Sequence, residues 1–125
     1  MKLANARTEL ALLASTALAD DVGVIDHLPD SIAPPVVLVA WSDPWLEPAT
    51  LCAWQAKMEL LIVSQRLEPG GNTERLEEIV SALVPPLKAS QWFQINDVTS
   101  PYPLQIAGVD YLAASINITH DVEDG

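Results

Sequence analysis

From Leu51 to Leu67 the side chains repeat with a period of two. Cys52, Trp54, Ala56, Met58, Leu60 and Ile62 share one parity, while Ala53, Gln55, Lys57 and Glu59 occupy the other. Ala, Gln, Lys, Met and Glu are individually good helix formers. A helix, however, cannot place every second residue on one side, whereas a pleated strand must. The pattern therefore predicts a half-buried strand. Fully extended, Ala53 to Arg66 would span about 45 Å. A compact domain of 125 residues has a radius of gyration of only about 14 Å. The strand must bend or send one end out of the body, where it can meet a neighbour.

The rest of the chain is read around that strand. Residues 1–125 are enough for one domain and too few for a second independent core. Residues 2–19 predict a helix, with Leu3, Ala6, Leu10, Leu13 and Ala17 spaced by three or four on one face. Asp20, Asp21 and Gly23 end it, and Val24 to Leu28 form a short strand or an irregular link. Pro34-Pro35 introduces Val36-Val37-Leu38-Val39-Ala40-Trp41, whose continuous β-branched and apolar character suits a central strand buried on both faces. Ser42 to Pro48 contains two prolines that cannot donate to a ladder, so an ordered loop is expected there.

Glu68-Pro69-Gly70-Gly71 is a turn, after which Asn72 or Thr73 caps a second helix with Leu76, Ile79, Val80 and Leu83 as its buried stripe. Pro85-Pro86 should stop or kink it. Trp92 to Val98 and Tyr111 to Thr119 read as further strands, the latter with Leu112, Ala114, Ile116 and Ile118 on one side. Between them Ser100-Pro101-Tyr102-Pro103 and Gly108 suggest an exposed loop, and residues 120–125 an acidic tail. The order implies an α/β fold of the α+β kind: a mixed four- to five-stranded sheet with both helices packed on one face.

Charge restricts the function. Asp and Glu outnumber Lys and Arg by 17 to 6, a net charge of −11, which is the wrong sign for neutralising nucleic-acid phosphates. It does not exclude a subunit lining a path along which DNA slides without sticking. The single cysteine, Cys52, cannot form an intramolecular disulfide or a multi-cysteine metal site, in keeping with a reducing cytoplasm. Lys2 and Arg7 precede the apolar run Leu10 to Leu18, and Ala17-Leu18-Ala19 imitates a cleavage site. Glu9 and the shortness of the run nevertheless favour a retained helix over a signal peptide. No stretch reaches the roughly 18–20 apolar residues of a membrane-spanning helix, so a soluble chain is expected.

The residues that carry chemistry elsewhere have ordinary explanations here. Gly70-Gly71 lacks the Lys-Ser/Thr of a phosphate loop. Asp20, Asp21, Asp26, His27 and Asp30 match neither an EF-hand nor a helical histidine pair and read as a solvated link. Glu74, Glu77 and Glu78 stand in the first turns of a helix, where its dipole favours them. Cys52 has no evident partner histidine, since His27 and His120 fall in turn-like and tail-like sequence. No catalytic residue, metal or cofactor is expected. The surplus features are aromatic: Trp54 takes a core parity, but Trp45 in its Pro-flanked loop and Tyr102 have the character of interface anchors. The candidate interface residues are Asp43, Pro44 and Trp45, Arg66 and Glu68 where the long strand runs out, and Pro101, Tyr102 and Pro103.

The N-terminal helix, the stretch PPVVLVAWSDPWLEPATLCAWQAKMELLIVSQRLEPGGNTERLEEIVSALV from Pro34 to Val84, and YLAASINI from Tyr111 to Ile118 together resemble the tail terminator proteins of siphophages, particularly those infecting actinobacteria. The resemblance is one of core, turn and strand order, without a catalytic fingerprint. It implies a homohexameric ring in the virion, assembled in the host cytoplasm and seated on the head-proximal end of the tail tube. Its partners would be its own copies, the tail tube protein and the connector or neck proteins. DNA would pass through without specific binding, and no membrane is involved. Six copies at −11 each would carry 66 negative charges. A neck completion protein, or a small acidic immunity- or antitoxin-like binding protein, would share the size and charge.

Overall fold

A computed structural model of the chain describes residues 3–18, 21–25, 32–50, 53–66, 73–90 and 92–123. The elements are α1 (Leu3–Ala17), β1 (Gly23–Ile25), β2 (Val36–Thr50), β3 (Ala53–Arg66), α2 (Glu74–Ala89), β4 (Phe93–Val98), β5 (Tyr102–Ile106) and β6 (Val109–Glu123). The fold is α+β. Its mixed sheet has six strands in the order β1-β2-β3-β6-β4, with β5 also paired to β6. That is more than the four or five expected, because the segment Tyr102–Ile106, taken for a loop, is a strand. Only β1 and β2 run parallel.

The long strand is real and unbroken from Ala53 to Arg66. It does not stand alone: β2 and β6, each of 15 residues, flank it, and its register with β6 shifts once, between Val63 and Gln65. The alternation is explicit in its burial. Ala56, Met58, Leu60 and Ile62 are wholly buried, while Gln55, Lys57 and Glu59 are half-buried. After Leu60 the pattern changes to a continuous apolar run, and there the sheet is buried on both faces. Val37, Val39, Leu60, Ile62, Ala114, Ile116 and Ile118 join the helix-side core with Ala6, Leu10, Ala14, Leu76, Ile79, Leu83 and Leu87. Val36, Leu38, Leu61, Val63, Tyr111 and Ala113 form a second cluster with the opposite parity. Both helices therefore pack on one face, α1 against β1 and β2, α2 against β3, β6 and β4.

Three expected breaks are absent. Residues 42–48 are counted within β2 instead of forming a loop. Five residues of β2 advance from Trp41 to Leu46 while β3 moves two, from Met58 to Ala56. The surplus containing Pro44 is thus held as an irregularity inside the strand. Pro48 pairs with Trp54 where β2 has β3 on one side only, since β1 reaches no further than Leu38; an edge tolerates a residue without an N–H. Helix α2 likewise runs through Pro85 and Pro86 to Ala89. Leu87, one turn beyond Leu83, is wholly buried, and that burial offsets much of the cost of the missing N–H groups. The Ser90 N–H closes the end on the carbonyls of Pro86 and Leu87.

The third is the segment after Ser100. Tyr102–Ile106 is a strand in hairpin with β6, closed by Ala107 and Gly108 at φ 52° and 80°. Two consecutive positive φ values between paired strands are the mark of a type I′ turn. The acidic tail also proves to be sheet as far as Glu123, because the alternation of β6 carries on through His120, which faces Ala56 and Phe93 across the ladders.

Candidate interaction surfaces

The face of the sheet away from the helices changes character along its length. Near the β5–β6 hairpin it is apolar, with Tyr102, Leu104, Ile106 and Val109 packed on the second cluster. Toward the other end it becomes polar. Lys57 pairs with Glu47 at 2.9 Å, Asn117 donates to Asp97 at 2.5 Å, and Asn96 donates to the Thr119 hydroxyl. These groups largely satisfy one another. Among the described residues no group of three or more His, Cys, Asp or Glu is arranged to hold a metal ion.

On the helix side, the space between α1 and the C-terminal end of α2 is an open groove of about 570 Å³. Leu12, Leu13 and Ala17 line it from α1, Ala82 and Pro86 from α2, and Trp92 and Phe93 from the entry into β4; among the described residues Glu9 is the one charged residue on its rim. Leu12 is 61% exposed and Trp92 49%. The floor at this end is fixed by His120, wholly buried, whose Nδ1 donates to the Trp92 carbonyl at 2.8 Å and whose ring lies 5.4 Å from that of Phe93. His120 is thus a core residue of β6 and not part of a tail.

The strands outrun this layer. One strand position pair beyond Ala56 and His120, Trp54 faces Val122 and Pro48. Trp54 continues the parity of the core residues but is 42% exposed, so its expected burial is corrected: the periodicity sets its side of the sheet, while the extent of the helices sets whether that side is covered.

The sequence-based interface candidates do not gather into one site. Asp43, Pro44 and Trp45 lie in the stretch of β2 that is out of register with β3. Arg66 is exposed at the end of β3, paired with Tyr111. Glu68 lies outside the described residues, as do Cys52 and His27. Pro101 and Pro103 are exposed, whereas Tyr102 between them is half-buried on the second cluster, its hydroxyl 2.9 Å from that of Ser115. Tyr102 is a packing residue in this chain. Among the described residues, the large exposed apolar side chains not singled out from the sequence are Leu12, Trp92 and Val98, together with Trp54, expected in the core. Leu12 was legible as the one leucine of α1 off the buried stripe; Trp92 carried no such signal.

The glutamates of α2 behave as helix-terminal groups. Thr73 Oγ1 donates to Glu77 at 2.6 Å, and Arg75 bridges Glu78 at 3.2 Å and Asp21 at 2.5 Å. No helix among the described residues is long and apolar enough to cross a membrane. The chain matches no protein-family model and no curated protein.

Proposed function

We propose that the chain is a non-catalytic structural subunit, a tail terminator that forms a homohexameric ring on the head-proximal end of a phage tail tube, stops its polymerisation and joins it to the neck. The observation that carries this reading is the sheet that outruns its own helices. Three adjacent strands are 14 or 15 residues long, and the middle one, β3, carries the exposed Trp54 next to its first residue. Tryptophan is over-represented among the anchors of protein interfaces, and a half-exposed one at a strand end is placed to serve an assembling subunit in that way. The resemblance in strand and turn order supplies the terminator, and the net charge of −11 suits a wall past which DNA slides.

Native mass measurement of the purified chain, alone and with tail tubes, tests the reading. Closed six-copy species, or tubes that stop growing once the chain is added, are expected. A chain that remains monomeric and leaves tube growth unaltered refutes it.

A further inference from the structure

We infer that the free edge of β4, with the groove between it and α2, receives an extended segment of a partner protein in which apolar and basic side chains alternate. The inference stands apart from the ring reading and does not depend on it. A strand paired on one side turns alternate N–H and C=O groups outward, where another strand can bond them. Among the described elements β4 (Phe93–Val98) is the last strand of the sheet, with β6 on one side only. The other edges are poorer templates. β1 has three residues, the part of β2 beyond β1 contains Pro44 and Pro48, and β5 contains Pro103. β4 has six residues and no proline.

The two faces of the edge define what the added segment carries. Phe93 and Ile95 pack on the helix-side core. Val98 reaches the same side, opposite Ile116, because Asn96 is an extra residue between the pairs Ile95–Ile118 and Asp97–Asn117. Val98 is 39% exposed, and with Leu76 and Val80 of α2 and Pro101 it lines a groove of about 210 Å³. A strand laid beside β4 points every second side chain over this apolar groove, and the rest lie beside Gln94, Asn96 and Asp97, all exposed. Charge selects the kind of those side chains. Asp97 accepts from Asn117, and Glu77, on the groove wall, accepts from Thr73. Among the described residues neither carboxylate is paired with a cation. At a net charge of −11 the chain repels its own copies from this edge and attracts a basic strand.

The test uses the full chain and a fluorescent peptide of about eight residues in which valine and lysine alternate. Anisotropy should show saturable binding that weakens as salt rises. Two control peptides separate strand addition from plain charge attraction. One groups the lysines at one end, and the other keeps the alternation but has every amide nitrogen methylated; both should bind at least tenfold more weakly. Asp97→Lys and Glu77→Lys should each weaken binding of the alternating peptide severalfold, and together at least tenfold. In the unsubstituted chain, bound peptide should slow hydrogen exchange of the Phe93–Val98 amides at least tenfold and leave α1 unchanged, a reading that needs no variant to fold. Control peptides that bind as well as the alternating one, or protection that falls on α1 and the groove beside Trp92 instead of β4, would overturn the inference. So would a chain that dimerises alone with the same protection of β4, since the occupant would then be a second copy.

Discussion

Replacing Leu60 with alanine examines the strand assignment on which the whole arrangement depends. Leu60 is wholly buried in the helix-side core, opposite Val39 at 1% and Ile116 at 0% exposure in its two neighbouring strands. Backbone ladders hold both neighbours at fixed spacing, so the site cannot collapse around the missing atoms, and a cost of about 3–4 kcal/mol is expected from the 2–5 range of such truncations. Unfolding entropy of roughly 2.1 cal/mol/K per residue gives about 0.26 kcal/mol/K for this length, and a fall in Tm of about 12–15 °C. Glu59→Ala, on the adjacent position of the half-buried opposite face, should cost well under 1 kcal/mol. Thermal melts followed by circular dichroism, with urea titrations at constant m, provide the measurement. A Leu60→Ala variant within about 4 °C of the parent, or two substitutions with similar cost, would refute the reasoning.

Other consequences are as specific. Ala107 sits at φ 52° beside Gly108 in the β5–β6 turn, so Ala107→Asn should raise stability by about 0.5–1 kcal/mol, asparagine being at home in left-handed backbone; a loss of stability would argue against the type I′ turn. The Tyr102 and Ser115 hydroxyls lie 2.9 Å apart, and a double-mutant cycle with Tyr102→Phe and Ser115→Ala should give a coupling of about 1 kcal/mol, where no coupling would place Tyr102 in water. Arg75 bridges Asp21 and Glu78, but it is 33% exposed and its partners 65% and 58%. Arg75→Ala should therefore change stability by less than about 1 kcal/mol, and a larger loss by chemical denaturation would contradict an exposed pair.

Periodicity made much of the fold legible. The parity of β3, the double burial of Val36 to Val39 and the stripe Leu76, Ile79, Leu83 all follow from spacing, because burial repeats with the backbone. What the sequence concealed depended on partners distant along the chain. Pro44 and Pro48 look like loop residues until β3 lies beside them and absorbs the irregularity. Pro85 and Pro86 look like a helix end until Leu87 is seen in the core. Ala107-Gly108 lacks the Asn-Gly signature of its turn, so β5 read as loop. His120 and the acids after it resembled a tail because their charge masked the continuing alternation of β6. The candidate interface suffered most, since exposure of Trp54 and Trp92 depends on where the helix layer stops, and no local pattern encodes that limit.

The central claim is that these uncovered features serve assembly at the top of a tail. Cryo-electron microscopy of a virion containing this chain tests it most directly. Six copies in one ring between the neck and the head-proximal end of the tail tube are predicted. Density for the chain in the capsid shell or at the distal tip, or its absence from the particle, would contradict the account.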